Sequence, residues 1–254
     1  MRSRGAVACL LLLFGPRLAA LPGAGPFRLS FLADGLLLAA GLPALTASLL
    51  LPTHVPSGVT LDPACICPLD AGLLLPYDAS WDIASDAITC TLLALPALTA
   101  IGQEAGSALA LAAIYGETLV IAMGIDGLLE KTVNRARPYL YTGTAPPRLL
   151  AACEGMESLP SGHTTAAFAA MGFAAYCTCR LHAGCAWRLP VTLGALCLAC
   201  TEAAARLLSG THFLTDMLVG AAIGTAAGIL VPLAHESGIG LRVRNGGISL
   251  AMAL

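Results

Sequence analysis

Apolar stretches of about twenty residues alternate with polar connections along most of the chain. A helix that crosses a bilayer needs about 20 mostly apolar residues. The predicted spans are Phe31–Leu51, Ile83–Ile101, Ser107–Leu129, Thr164–Arg180, Pro190–Leu208 and Phe213–Leu233. The pattern therefore predicts an all-α integral membrane protein built as a bundle of six transmembrane helices.

The same pattern divides the chain into three parts. Residues 1–28 resemble a signal peptide, because Arg2 and Arg4 precede an apolar run that is too short to span a bilayer. A helix lying in the membrane interface is the alternative for this segment. Residues 29–235 hold the six predicted helices. Residues 236–254 form a tail, for which we expect a turn and a strand-like extension.

Composition limits the class of protein and its partners. Hydrophobic residues make up 57% of the chain and charged residues 11%, whereas soluble domains carry about a quarter charged residues. The net charge of −2 says nothing about nucleic acid, but no basic tract appears, so no nucleic-acid partner is expected. The partners that we expect are the bilayer and a substrate drawn from it, and no obligate protein partner is inferred.

Basic residues predict the orientation in the membrane. The long loops 52–82 and 130–162 and the connection 209–212 share one side, which carries Lys131, Arg135, Arg137, Arg148 and Arg206. The other side carries Arg2, Arg4, Arg17, Arg28, Arg180, Arg188, Arg242 and Arg244. Since cytoplasmic segments are enriched in Lys and Arg, the second side is predicted to be cytoplasmic. The long loops would then face the outside, or the periplasm if the membrane is an inner membrane.

An arginine, a histidine and an aspartate lie where the last two predicted helices meet: Arg206, His212 and Asp216. His212 and Asp216 are four residues apart, so they share a helix face if the sixth helix begins near Thr211. Asp216 would then accept a hydrogen bond from one imidazole nitrogen and leave the other free as a nucleophile. A metal pair is the alternative, but the neighbouring arginines would repel a divalent cation, so no metal is predicted at this site.

A second histidine opens the fourth predicted helix, in Pro160-Ser161-Gly162-His163. The N–H groups of a helix N-terminus suit an anion. Ser161 can donate a further hydrogen bond, and Gly162 lets the backbone approach closely. Arg137, restrained by the proline after it, can bind two phosphate oxygens. These groups together predict phosphate chemistry at a membrane surface.

The sequence resembles the PAP2 (type 2 phosphatidic acid phosphatase) superfamily, and within it the bacterial membrane lipid phosphate phosphatases. The resemblance rests on three motifs in order on one predicted membrane face: Arg137-Pro138, then Pro160-Ser161-Gly162-His163, then Arg206 with His212 and Asp216. These motifs cover about residues 130–216, and the helix layout extends the likeness to about residues 30–235.

The resemblance implies a role for each residue. His212 would be the nucleophile that forms a phosphohistidine, with Asp216 as its partner. His163 would protonate the leaving alcohol and then activate water. The phosphate would be bound by Arg137, Ser161, Gly162 and Arg206, with Lys131 and Arg135 as further candidates. The family reaction requires no metal or other cofactor.

Two positions depart from the family pattern. The family lysine has six residues between it and the arginine of Arg-Pro, a spacing that lands on Glu130 and leaves Lys131 one position off. One residue on a helix is a rotation of about 100°, so Arg135 becomes a candidate for the missing charge. The serine that precedes the last arginine in the family is Ala205 here. The first departure leaves three alternatives: the helix end is locally distorted, Arg135 supplies the missing charge, or phosphate binding is weakened. The second removes one hydrogen-bond donor.

The predicted function is a membrane lipid phosphate phosphatase with its active site on the outer face. Candidate substrates are phosphatidic acid, phosphatidylglycerol phosphate and undecaprenyl diphosphate. One alternative is a phosphotransferase that uses the same residues and passes the phosphoryl group to a hydroxyl. A second is a catalytically weak protein that binds or transports lipids.

Two further patterns bear on packing and cross-linking. Gly220, Gly224 and Gly228 recur at every fourth residue of the sixth predicted helix, which predicts a close-packing face within the chain. Cys153 and the pair Cys65 and Cys67 lie in predicted outer loops, so a disulfide between them is open if those loops are periplasmic.

Overall fold

The apolar stretches form the predicted helices, which a computed structural model describes over residues 25–53, 61–151, 154–236, 239–244 and 247–252. The α-helices in these residues are α1 (Phe31–Leu50), α2 (Pro68–Ala71), α3 (Ala79–Ala94), α4 (Ala105–Val133), α5 (Pro138–Thr142), α6 (Pro147–Ala151), α7 (Gly162–Leu181), α8 (Arg188–Leu208) and α9 (Leu214–Ala234). Short 3₁₀ helices cover Pro63–Cys65, Leu95–Ala100 and Glu154–Met156. Most of the signal-like segment predicted for residues 1–28 lies outside the described residues.

Local sequence sets the ends of the long helices. Ser30 caps α1 by accepting a hydrogen bond from the Ala33 amide, and Asp78 caps α3 through the Ser80 amide at 2.8 Å. Pro96 lacks an amide proton, and α3 gives way there to the 3₁₀ turn. Asn134 ends α4 in the left-handed conformation, at φ 52°. The predicted third span stopped at Leu129, so the helix is one turn longer than expected.

Five of the long helical segments in the described residues are long and apolar enough to cross a membrane. They contain α1, α3, α4, α8 and α9. The exception is α7, which has 20 residues, of which 13 are buried. The chain is therefore a helical protein of the multi-pass membrane type, and a sixth crossing stays a prediction.

Helix α7 occupies the centre of the bundle and packs against α3, α4, α8 and α9. Its contact with α9 is close because a Cβ atom at Gly220 would lie 2.8 Å from the Ser161 carbonyl oxygen, and one at Gly224 would lie 2.8 Å from the Ala169 amide nitrogen. The predicted close-packing face is confirmed, and it lies within the chain.

The two long connections fold over one end of the bundle. The Asp78 amide donates to the Ser209 carbonyl at 3.0 Å, which fixes the first connection above the α8–α9 turn. Gly210 in this turn has φ 66°, and a Cβ atom there would lie 2.7 Å from the Leu75 carbonyl oxygen. Only glycine meets both conditions without strain.

The tail continues beyond the helices as predicted. Strands β1 (Ile239–Arg244) and β2 (Gly247–Met252) pair as an antiparallel hairpin, in which Ile239 lies opposite Met252. The all-α prediction therefore applies to residues 31–234 and is followed by this short β extension.

The cysteine prediction is tested in part. Cys65 and Cys67 are free and exposed, whereas Cys153 lies outside the described residues. The disulfide that the sequence allowed is therefore not formed by Cys65 or Cys67.

Candidate active site

His212 is buried at the end of the bundle, with 2% of its surface exposed, in the turn between α8 and α9. Its Nδ1 atom lies 2.8 Å from the carbonyl oxygen of Ser158. A carbonyl only accepts, so Nδ1 carries the proton and donates it. The tautomer is thereby fixed, and Nε2 keeps the lone pair that a nucleophile needs.

The prediction that Asp216 accepts a hydrogen bond from His212 is wrong. Asp216 Oδ2 is 3.9 Å from Nδ1 of His212, too far for a hydrogen bond. The same oxygen instead accepts from the Ser158 hydroxyl at 2.5 Å and from the Phe213 amide at 2.8 Å. The reason is that α9 begins at Leu214 rather than near Thr211, so His212 precedes the helix and does not share a face with Asp216.

Arg135 connects this carboxylate to the first long connection. It donates to Asp216 and to the Thr215 hydroxyl, and its other guanidinium nitrogen donates to Asp70 at 2.7 Å. The guanidinium also lies 4.2 Å above the ring of Phe213. Arg135 therefore holds Asp216 and the start of α9 in place.

Asp70 completes this network from α2. Its two oxygens accept from the amide and the hydroxyl of Thr215, at 3.0 and 2.6 Å. Burial alone would raise the pKa of Asp70, but the hydrogen bonds from Thr215 and Arg135 outweigh it and lower the pKa. Asp70 is therefore a fixed anion that balances the charge of Arg135.

His163 is the second residue of α7 and faces α3. Its Nε2 atom is 3.1 Å from Oδ1 of Asp86. Asp86 also accepts a hydrogen bond from Arg206, whose other terminal nitrogen donates to Asp82 at 2.8 Å. Glu202 lies 3.7 Å from Nε of Arg206. The Asp86 carboxylate thus contacts both His163, which was predicted to protonate the leaving alcohol, and Arg206, which was predicted to bind the phosphate.

Arg137 differs from the other arginines of the site. Its backbone amide donates to the Gly155 carbonyl at 2.8 Å, which holds the start of α5. Its Nε atom is buried and has no hydrogen-bond partner. No carboxylate among the described residues forms an ion pair with it. Within the described residues its guanidinium is therefore not held by a direct ion pair, although its charge acts on the nearby Glu157 carboxylate.

The N-terminus of α7 lies beside this cation. Ser161 is the N-cap residue, it is fully buried, and no side chain caps the first amides of the helix. The Ser161 amide donates to the Asp216 carbonyl at 3.2 Å, which ties α7 to α9. Binding of an anion by the first amides of α7 stays a prediction.

Lys131 is not brought into this group. Its Nζ atom donates to Glu157 and to the Thr53 hydroxyl, the latter at 2.9 Å. Burial alone would raise the pKa of Glu157, but the hydrogen bonds from Lys131 and Thr53 outweigh it and lower the pKa. Phosphate binding by Lys131 and Arg135 stays a prediction, because the structure shows both charges engaged by carboxylates.

Electrostatic effects connect the histidines and arginines of the site. Burial, with the charges of Arg137 and Arg206, holds the pKa of His212 well below its usual value, and the charge of His163 adds to this effect. His212 is therefore neutral at physiological pH, the form in which an imidazole attacks phosphorus.

Four residues of the site were not predicted from the sequence: Ser158, Asp70, Asp82 and Asp86. Ser158 acts through its backbone carbonyl, which no motif reveals. The three aspartates come from the first long connection and α3, far from the motifs in the chain. The sequence feature that could have revealed them is the scarcity of charge, because only 15 of the 254 residues are acidic. Two of these, Asp82 and Asp86, are four residues apart near the start of one helix.

Comparison with known families addresses the identity of this site. The family model described as the PAP2 superfamily matches residues 111–237, which include both histidines, Asp216, Arg137 and Arg206. The chain belongs to the PAP2 superfamily. Members of this superfamily are generally phosphatases, so the assignment supports a hydrolase of phosphoric esters. No solved structure matches the chain.

Proposed function

We propose that this PAP2 protein hydrolyses the phosphate ester or diphosphate of a membrane lipid through a phosphohistidine on His212. The observation that carries the proposal is the meeting of His163 and His212 with Arg137 and Arg206 at one end of the helix bundle. Two imidazoles and two guanidinium groups are a suitable set for phosphoryl transfer without a metal.

Binding uses the guanidinium of Arg137 and the N-terminus of α7. The phosphate oxygens lie between Arg137, Arg206 and the amides of Gly162 and His163. To reach Arg206, the phosphate displaces the Asp86 carboxylate, which is itself an anion held on the same arginine. Asp86 is 56% exposed at its side chain, so it can turn outward at small cost.

The first chemical step forms the N–P bond. Nε2 of His212 attacks phosphorus while the bond between phosphorus and the leaving oxygen breaks. His163, protonated beside the negative charge of the bound phosphate, gives its proton to that oxygen and releases the lipid product. The Ser158 carbonyl stabilises the positive charge that develops on the imidazole, because it accepts from Nδ1.

The second step restores the enzyme. His163, now neutral, takes a proton from water, whose oxygen attacks phosphorus while the N–P bond breaks. Inorganic phosphate leaves, and His212 and His163 return to their starting protonation states. The two steps balance as the addition of one water to one ester.

A lipid substrate is supported by the surface around the bundle. Large apolar side chains are exposed on the outer helices, among them Phe31, Leu49, Ile83 and Leu218, which suits contact with acyl chains. A lipid lying among these helices would present its headgroup at the bundle end where the site is. The arginine distribution supports an outer position for that end, which would be the periplasmic face if the membrane is an inner membrane.

The proposal is tested by phosphate release in detergent with EDTA present. We expect release from at least one lipid in a panel of phosphatidic acid, phosphatidylglycerol phosphate and undecaprenyl diphosphate. His212→Ala abolishes this release, whereas the matched His182→Ala, at the far end of α7, retains it. Release from none of these lipids by well-folded protein contradicts the proposal, and loss of release with EDTA from protein that stays folded contradicts the metal-free chemistry.

The intermediate is tested with a substrate whose leaving group needs no proton. With p-nitrophenyl phosphate, His163→Ala completes the first step but lacks the base for the second. We therefore expect an acid-labile, base-stable phosphoryl group on His212, detected by rapid quench and mass spectrometry. Absence of that adduct in a burst of nitrophenol contradicts the double displacement.

The ion pairs that already neutralise basic residues near the site favour a second candidate function, a lipid-binding protein of low activity. Lys131 is neutralised by Glu157, and Arg206 by Asp82 and Asp86. Binding of a lipid phosphate without turnover in the same panel would establish this candidate instead. A phosphotransferase would be recognised in the panel by a phosphorylated hydroxyl product in place of free phosphate.

A further inference from the structure

A second cluster of polar groups lies at the opposite end of the bundle from His212. It consists of Asp34 near the start of α1, Glu117 within α4 and His235 directly after α9. Helix α9 has 21 residues, so His212 and His235 are about 30 Å apart at 1.5 Å per residue. The cluster is therefore separate from the proposed active site.

The hydrogen bonding of His235 directs a lone pair into this cluster. Its Nδ1 atom lies 2.9 Å from the carbonyl oxygen of Val231, so Nδ1 carries a proton. Its Nε2 atom lies 2.6 Å from Asp34 Oδ1 and 3.2 Å from Glu117 Oε2. A neutral His235 would thus present a lone pair to two anions, and something positive must lie between them.

A proton on Nε2 of His235 can form a hydrogen bond with only one of the two carboxylates. Asp34 lies in hydrogen-bond distance of Nε2, but Oε2 of Glu117 is buried and has no hydrogen-bond partner. Glu117 is 7% exposed. With the proton, the cluster would keep a net charge of −1, and the buried Glu117 carboxylate would be offset, among the described residues, only by the ion pair with His235 at 3.2 Å.

Basic side chains in the described part of the chain do not supply the missing charge. Among the described residues, no lysine or arginine forms an ion pair with Asp34 or Glu117, and Arg180 is paired with Glu236 instead. A divalent cation would bring the cluster to neutrality. It would also give the unpartnered oxygen of Glu117 a ligand.

We propose that Asp34, Glu117 and His235 bind a divalent transition-metal ion such as Zn²⁺ or Mn²⁺. The three ligand atoms lie within 4.8 Å of one another. One imidazole and two carboxylates suit this class of ion better than Mg²⁺ or Ca²⁺, which take oxygen ligands. Three protein ligands leave a fourth position for water, and the side chain of Asp34, 22% exposed, marks the path of entry.

The ion would join three helices that no covalent bond connects at this end. Helices α1, α4 and α9 each contribute one ligand or its direct neighbour. Binding to the folded state alone raises stability by mass action. The role is structural, so it is independent of phosphate hydrolysis.

The test measures metal binding by the full chain in detergent after removal of metals with EDTA. We expect about one Zn²⁺ or Mn²⁺ per chain by elemental analysis, a dissociation constant from calorimetry and a rise in thermal midpoint. Mn²⁺ is included because thiols bind it weakly, and ten cysteines are present. Loss of even an outer-shell partner weakens metal binding about 10- to 100-fold, so Glu117→Gln should weaken it at least about tenfold.

Two further variants complete the test. Asp34→Asn removes the partly exposed ligand and should give the same loss if Glu117→Gln folds poorly. Glu104→Gln makes the same chemical change at an exposed residue at the start of α4 and should bind like the wild type. Equal affinity in the wild type and both ligand variants overturns the proposal. Retention of phosphate release by Glu117→Gln separates this result from the fate of the proposed function.

Discussion

At the scale of the residue, the orientation of His212 depends on a backbone atom. The Ser158 carbonyl accepts from Nδ1, while Asp216 accepts from the Ser158 hydroxyl, from Arg135 and from the amide of Phe213, the residue before α9. Asp216 therefore positions Ser158 and α9, and it acts on His212 through them. This arrangement distinguishes the site from a direct histidine–aspartate dyad.

Asp216→Asn measures that difference. In a serine protease triad, where the aspartate binds the histidine directly, the same change lowers kcat about 10⁴-fold because the tautomer is wrong. Here the carbonyl keeps the tautomer, so we expect a loss of kcat well below that figure, with Ser158→Ala losing less again. A loss of about 10⁴-fold in a folded Asp216→Asn protein would show that Asp216 binds His212 directly during turnover.

Asp86 competes with the substrate for Arg206. Partly exposed ion pairs contribute about 0.2–1 kcal/mol, which corresponds to a factor of up to about five in binding. Asp86→Asn is therefore expected to lower KM for a lipid phosphate by up to about fivefold. The control is Asp62→Asn, an exposed acid on the same side that can still cap its 3₁₀ turn. A rise in KM would show that Asp86 aids binding.

At the scale of the element, the close contact of α7 and α9 holds His163 near His212. Gly224→Ala places a Cβ atom against the Thr165 carbonyl and 2.8 Å from the Ala169 amide nitrogen. Overpacking costs about 1–3 kcal/mol, so we expect a lower thermal midpoint in detergent and reduced phosphate release.

A matched glycine lies in α4. Gly116 has nothing within 4 Å of an added Cβ atom, and alanine is favoured over glycine inside a helix by about 0.5–1 kcal/mol. Gly116→Ala should leave the midpoint unchanged or raise it slightly. Equal destabilisation by the two substitutions would contradict tight packing as the cause.

The sequence predicted the long helices and their order because apolar stretches of membrane length are a strong signal. It placed the end of the third helix at Leu129, whereas Asn134 ends it, because a polar residue in the last turn of a helix resembles a loop. The three motifs placed both histidines and the arginines at one end. The pairing of Lys131 with Glu157, and of Arg206 with Asp82 and Asp86, joins residues 26 to 124 positions apart, and local pattern carries no such information.

At the scale of the whole molecule, the two ends of the bundle are predicted to lie on opposite sides of the membrane. Natural cysteines mark both ends: Cys65 is exposed beside the proposed active site, and Cys185 lies in the connection between α7 and α8. In intact cells, a membrane-impermeant maleimide should label a variant that keeps Cys65 alone. It should label a variant that keeps Cys185 alone only after the membrane is opened. The reverse pattern would place the site in the cytoplasm.

The burial of α7 has a consequence for how the protein is made. A segment leaves the translocation channel for lipid according to its own apolarity, and α7 is the long helix that falls outside the apolar class of the others. Its buried face is covered by α8 and α9, which are synthesised later. Released chains that end at residue 185 should therefore hold residues 162–181 outside the bilayer, and released chains that extend past residue 236 should have inserted them. Membrane insertion of the helix that carries His163 is thus expected only after the helix that follows His212 has been synthesised.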